Sequence, residues 1–238
     1  LIDNFYIDKM KTTVIYNPVD IKYIDSLKNE EIEDKYKYIF DENTIITSGR
    51  LTYQKGQWYL IRALKKVKKE LPNAKLVILG QGELEKNLKK LVAELNLEDS
   101  VFFLGFKSNP FKYIKNSKVF VLPSLFEGFG NVITETMECG TIVISTDCKS
   151  GPKEILNPSN MEEKVNDMFI ANYGILIPVF DGKVYNATEK LTKEEDILAN
   201  TIIEVLKNMQ LCLQLESKIF ERVKDFEVNS IVKEWCKF

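Results

Sequence analysis

The chain has 238 residues, 45% of them hydrophobic and 29% charged, which suffices for one large or one and a half ordinary domains. A net charge of −2 offers no electrostatic footprint for nucleic acid. With no histidine anywhere, Ser–His and Cys–His catalysis are excluded and a zinc site is disfavoured.

In chain order, residues 1–19 read as a connector and first strand, the strand over 13–16 and its turn at Asn17-Pro18. Apolar, β-branched runs then predict strands at Thr44–Ser48, Lys75–Leu79, 101–104, 118–122 and 142–145. Between them, Gln57–Glu70 carries leucine, alanine and valine at helical spacing, and 83–95 repeats the pattern with Leu84, Leu88, Leu91 and Leu95. A short helix is expected over 109–114 and another over 130–139, closed by Gly140. Residues 157–171 are polar and irregular, 173–178 give a last short strand, and 193–238 are helical throughout, with three helices. Strands alternating with helices across short connections imply a parallel sheet covered on both faces, with ligands bound at the carboxyl ends of its strands.

Four cysteines, Cys139, Cys148, Cys212 and Cys236, show neither a CxxC nor a metal-ligand spacing, and Cys139 and Cys148 read as small apolar residues in a reducing compartment. No apolar run approaches bilayer length and the first residues do not resemble a signal peptide, so a cytoplasmic location is expected. The basic run Arg62, Lys65, Lys66, Lys68 and Lys69 reads as a solvated helix face, with peripheral contact to an anionic inner membrane surface as the alternative. The chain begins at Leu1 and not at methionine, as a piece of a longer protein would.

The chemistry concentrates in loops that follow strands. In Phe126-Glu127-Gly128-Phe129-Gly130-Asn131-Val132-Ile133-Thr134-Glu135, two carboxylates lie eight positions apart across a turn that opens a helix. The main-chain N–H groups of Gly130, Asn131 and Val132 lack partners within that helix and form a seat for phosphate. Glu127 projects from the turn, and Glu135 lies five residues beyond Gly130, roughly 7–8 Å along the axis, so that one carboxylate sits near the phosphates and the second a ribose-length away. As ordinary acids near a helix start, both would also be favourable. Gly49-Arg50-Leu51-Thr52-Tyr53-Gln54-Lys55-Gly56 follows the Thr44–Ser48 strand, so Arg50 as a fork and Lys55 as a point charge face the same edge and suit a diphosphate. Leu79-Gly80-Gln81-Gly82-Glu83 lacks the third glycine of a dinucleotide fingerprint. Neither a lysine-bearing phosphate loop nor an Asp-x-Asp pair is present, so the charge of a leaving diphosphate falls to Arg50, Lys55 and the helix start without a metal.

Taken in order, Gly49-Arg50…Lys55-Gly56, Leu79-Gly80-Gln81-Gly82-Glu83, Phe103-Leu104-Gly105, Ser124…Glu127-Gly128-Phe129-Gly130…Glu135…Gly140 and Gly151-Pro152-Lys153-Glu154-Ile155-Leu156 form a series. It resembles the carboxy-terminal, donor-binding domain of the retaining glycosyltransferases of family 4, over about residues 13–178. The resemblance implies an α/β fold: a Rossmann-like parallel sheet flanked by helices, one half of a GT-B architecture. The donor domain would span 13–192, with carboxy-terminal helices over 193–238 and the amino-terminal acceptor domain absent from this chain.

By the same resemblance, Arg50 and Lys55 would bind the donor diphosphate beside Gly49, helped by main-chain N–H groups of Phe129, Gly130, Asn131 and Val132. Glu135 would take the ribose hydroxyls, Glu127 would lie by the donor sugar with a supporting catalytic role, and Phe106 would meet the base mostly through its backbone. The implied reaction is transfer of a hexose or N-acetylhexosamine from a nucleotide-sugar to a glycan or lipid-linked acceptor, with no metal or cofactor. Front-face attack is the family's route, the leaving phosphate assisting the acceptor. The string from Ser150 to Leu156 resembles enzymes that use UDP-sugars, although Glu154 also suits a plain helix-start acid. Thr136 departs from the alanine usual there. A nucleotide-sugar epimerase of the same architecture and a non-catalytic nucleotide-binding module are the alternatives. The fragment alone is expected to transfer sugar poorly or not at all.

Overall fold

The computed structural model describes residues 12–41 and 43–237. Seven strands form one sheet: β1 (Thr44–Ser48), β2 (Lys75–Leu79), β3 (Val101–Gly105), β4 (Val119–Leu122), β5 (Ile142–Thr146), β6 (Phe169–Ile170) and β7 (Ile175–Ile177). Their order is β3-β2-β1-β4-β5-β7-β6, with every neighbouring pair parallel except β6 against β7. The chain moves outward from β1 to β3 and then returns to lay β4 on the other side of β1. The carboxyl ends of β1 and β4 therefore flank the crevice where an open α/β sheet binds its ligand.

Burial on both faces explains the nearly unbroken apolar strands. Ile45, Leu76, Ile78, Val119, Val121, Ile142 and Ile144 point into one core, and Ile46, Val77, Leu79, Phe120, Leu122 and Val143 into the other. The first core is covered by α3 (Gln57–Glu70), α4 (Glu85–Glu94) and α8 (Lys193–Lys207). The second is covered by α1 (Ile21–Leu27), α5 (Phe111–Lys115) and α6 (Asn131–Glu138). Helix α9 (Met209–Val223) joins the two, giving Leu211, Cys212 and Leu215 to the first core and Ile219 and Val223 to the second. The remaining helices are α2 (Asp34–Lys37), α7 (Pro152–Leu156) and α10 (Val228–Trp235). Arg222 of α9 donates to the carbonyls of Glu154 (2.7 Å) and Ile155 (3.1 Å), so it serves the otherwise orphaned C-terminus of α7.

Two sequence expectations are corrected. Residues 13–16 form no strand. Tyr16 instead stacks on Phe129 with ring centroids 5.2 Å apart and meets Phe226 edge-on at 5.6 Å. Only Val19 pairs, through an isolated parallel bridge to Glu227. The basic run is not one solvated face either: Arg62 is 1% exposed and bonded to Glu195, while Lys66 pairs with Asp196 at 2.7 Å. Helix α1 was readable but not expected; Asp20 caps it by accepting from the Tyr23 N–H at 2.9 Å. The part of the connector over residues 1–11 lies outside the described residues. Among the described residues, no helix is long and apolar enough to cross a membrane.

All four cysteines are free, and only Cys236 is exposed. Burial pushes the Cys139 thiol up to about 12 and the Cys148 thiol up to about 11. Because the thiolate is the nucleophile, iodoacetamide at pH 8 should modify Cys236 alone in the native protein, as read by intact mass and peptide mapping. Labelling of Cys148 at the rate of Cys236 would show that its loop opens.

Candidate active site

Three loops meet at the carboxyl edge of the sheet. After β1 the chain makes a single 3-10 turn, Tyr53–Lys55, and enters α3 through Gly56. After β4 it runs from Pro123 to Gly130 and enters α6; after β5 it runs from Asp147 to Gly151 and enters α7. Hydrogen bonds stitch the first two together: Leu125 N–H donates to the Gln54 carbonyl at 2.8 Å, and Gln54 Nε2 donates to the Phe126 carbonyl at 2.9 Å.

Glycine is required at two contacts that clamp the β4 loop from either side. A Cβ on Gly56 (φ +59°) would sit 2.4 Å from the Pro123 carbonyl oxygen, and one on Gly151 (φ +76°) would sit 2.2 Å from that of Phe129. Both φ values also lie where side chains are strained.

Inside this frame Lys55 Nζ reaches Glu127 Oε1 at 2.6 Å, with the two side chains 16% and 6% exposed. Ser124 Oγ donates to the same Oε1 at 2.6 Å. The cation and carboxylate expected at this edge are thus in direct contact, 72 residues apart in sequence. Gly49 backs onto the pair, since a Cβ there would lie 3.4 Å from Lys55 Cε.

A cavity of about 360 Å³ adjoins, lined by Ser48, Gly49, Arg50, Leu79, Gly80, Gln81, Phe106, Lys107 and Pro110. It spans the ends of β1, β2 and β3 and brings Gly49, Arg50 and Phe106 together. Arg50 is exposed, and the Phe106 ring stands in solvent. Lys107 was not foreseen; its ammonium lies 3.6 Å from Glu33 and over the rings of Tyr36 and Tyr113.

Phe129, Gly130, Asn131, Val132 and Glu135 lie along the opening of α6, outside the lining of that cavity. The Phe129 ring is spent on Tyr16 and Phe226, and Val132 packs against the second core, so each has only its backbone to offer a ligand. Gly130 is the left-handed N-cap (φ +86°) and supplies no side-chain cap. The Asn131 side chain accepts from Asn17 Nδ2 at 3.0 Å. Glu135 is half-buried, and burial pushes its carboxyl above the usual range without any offsetting partner. Glu154 serves its own helix, accepting from the Gly151 N–H at 3.1 Å, and Lys153 pairs with Asp147 at 2.8 Å. Among the described residues, no group of three acidic, cysteine or histidine side chains is placed to hold a metal ion.

Comparison with known proteins adds to this geometry. The family model of glycosyl transferases group 1 matches residues 28–172. An uncharacterised glycosyltransferase of Methanocaldococcus jannaschii is 42% identical over 232 residues, 95% of this chain and 57% of its own length. The N-acetylgalactosamine-N,N'-diacetylbacillosaminyl-diphospho-undecaprenol 4-alpha-N-acetylgalactosaminyltransferase of Campylobacter jejuni is 41% identical over 155 residues, 65% of this chain and 40% of its own. The chain thus spans about half the length of the curated relatives it matches. Among solved structures, Anabaena HepE in complex with UDP and glucose superposes with a TM-score of 0.73 at 23% identity, covering 97% of this chain and 57% of that one. That likeness establishes the fold as half of a GT-B architecture.

Proposed function

Because the chain belongs to the glycosyl transferases of group 1, we propose that it is the donor-binding half of a retaining glycosyltransferase that uses a UDP-sugar. The observation that carries this reading is the meeting of Lys55 and Glu127 at the switch point of the sheet, 2.6 Å apart and largely withdrawn from water. In this reading Arg50 and Lys55 hold the diphosphate. Backbone N–H groups at the opening of α6 share its charge, and the base enters the cavity beside Phe106. Glu135 takes the ribose hydroxyls.

Transfer breaks the bond between the anomeric carbon and the diphosphate oxygen. The acceptor oxygen forms the new bond on the same face, and its proton passes to the departing phosphate. Arg50 and Lys55 would stabilise the charge that develops there. Uridine is supported by the UDP seen in HepE, and a lipid-linked or glycan acceptor by the diphospho-undecaprenol in the Campylobacter relative's name. The acceptor would be held by residues that this chain does not supply, with 13–192 forming the donor domain and 193–238 its closing helices.

Calorimetric titration with UDP, GDP and ADP, with and without magnesium, tests the reading. UDP binding without magnesium is expected, and a chain that binds none of the three nucleotides would overturn it. Glu135→Gln adds a second readout. The folded carboxyl titrates above its ordinary 4.5, so the unfolded chain releases the proton first. Stability then falls as pH rises from that value through the folded one. Glu135→Gln should therefore raise Tm at pH 7 but not at pH 4, while weakening UDP binding roughly tenfold through a lost charged hydrogen bond. An unchanged UDP affinity would remove Glu135 from the site.

A further inference from the structure

Glu127 is held by more than its cation. Its Oε1 receives two donors, Lys55 Nζ and Ser124 Oγ, each at 2.6 Å. Ser124 is fully buried, and its carbonyl in turn accepts Thr146 Oγ1 at 2.5 Å, from a fully buried threonine at the end of β5. Ser150 Oγ donates to the main-chain carbonyl of Glu127 at 3.1 Å. The other carboxylate oxygen, Oε2, accepts no hydrogen bond among the described residues, and the side chain as a whole is 6% exposed.

The two donors on Oε1 differ in kind. Lys55 is a point charge on a flexible four-carbon stem, and an incoming diphosphate competes for it. Ser124 Oγ hangs on a single rotatable bond from a backbone tied to β5, and its one proton goes to Glu127. When the ammonium is drawn toward phosphate, Ser124 is the donor that stays.

We infer that Ser124 is a positioning residue: it fixes the rotation of the Glu127 carboxylate so that Oε2 stays open to a hydroxyl of the donor's sugar, and it does not act on the nucleotide. This rests on the donor-binding reading above and extends it to a buried hydroxyl that meets no ligand itself. A carboxylate freed to rotate would spend time in orientations that aim neither oxygen at the sugar, and so lose its directed acceptor. The penalty falls on the sugar's share of the binding energy, leaving the uridine diphosphate's share intact.

The test titrates this chain, Ser124→Ala and Ser124→Thr with UDP, UDP-glucose and UDP-N-acetylgalactosamine, and compares the ratio of the UDP-sugar and UDP dissociation constants. Ser124→Ala should keep its UDP affinity within about threefold, which also shows that it is folded, and lose roughly tenfold in the ratio, the scale of one charged hydrogen bond. Ser124→Thr returns the hydroxyl and should return the ratio. An unchanged ratio in Ser124→Ala overturns the positioning role and leaves the nucleotide site standing. Parallel losses for UDP and UDP-sugar, or failure of Ser124→Thr to recover, would assign the effect to packing and overturn it as well. A parent chain that binds UDP but neither UDP-sugar overturns the inference alone. A parent that binds no UDP overturns the donor-binding reading and the inference with it.

Discussion

Lys55→Ala will bind UDP at least about 100-fold more weakly than the parent chain, the equivalent of roughly 2.7 kcal/mol. Two losses point the same way. A charged hydrogen bond to phosphate contributes about 1.5–3 kcal/mol. Removing the ammonium also leaves the Glu127 carboxylate, 6% exposed, unneutralised beside an incoming polyanion. At an effective dielectric of 20, unit charges 4 Å apart repel by about 4 kcal/mol, and even half of that, after screening, takes the sum past 100-fold. Stability should fall less, by about 1–3 kcal/mol, because Ser124 still donates to Glu127. The Lys55→Met/Glu127→Gln pair separates the two losses: removing the carboxylate's charge should recover thermal stability and the repulsive part of the UDP affinity, but not the part that the ammonium–phosphate hydrogen bond supplies. UDP binding by Lys55→Ala at parental strength would mean that the diphosphate lies elsewhere.

Glu195→Ala will destabilise the chain more than Lys55→Ala does, although Glu195 lies away from the proposed donor site. Arg62 and Glu195 are 1% and 0% exposed, joined by Nε–Oε1 at 2.6 Å and Nη2–Oε2 at 3.2 Å. The remaining Arg62 donors serve the carbonyls of Asn186 and Lys190. Glu195 Oε2 also accepts from the Thr192 N–H at 2.7 Å in the capping box of α8. Stranding a buried guanidinium costs about 3–5 kcal/mol, and the lost cap about 1 more. For a domain of this size that is a Tm drop on the order of 10 °C. The double variant Arg62→Met/Glu195→Leu should be less destabilised than either single change, because it leaves no buried charge unpaired. Scanning calorimetry of the four proteins gives the coupling. A loss below about 1 kcal/mol for Glu195→Ala would mean that water reaches the pair.

Much of the fold was legible because strands buried on both faces announce themselves as apolar runs, and helix α3 spans the Gln57–Glu70 that its apolar spacing marks out. Loops carrying glycine and charge directly after those strands placed Arg50, Lys55 and Glu127 at one edge. What stayed hidden depends on distant partners. Arg62 sits in a basic run and nothing near it in sequence announces Glu195, 133 residues on. The run over 13–16 has strand-like residues, but Tyr16 is taken up by the rings of Phe129 and Phe226, far along the chain. Ser124 appeared in the motif series, yet its hydrogen bond to Glu127 depends on a turn and a rotamer that the letters do not encode. The ring of Phe129 was likewise invisible as a packing residue until Tyr16 and Phe226 came round to meet it.

The clamp formed by Gly56 and Gly151 bears on how this family is read by evolution and by mutational scanning. Neither position admits even a methyl group, because a carbonyl oxygen of the β4 loop already occupies that space. Every codon step away from glycine meets the same wall. In a screen scored by activity the two would stand beside Lys55 as invariant, and an alignment would print all three in the same ink. Their invariance would record a shape that admits no side chain, whereas that of Lys55 would record a charge. A screen scored by abundance would part them, with the glycines falling further than the lysine.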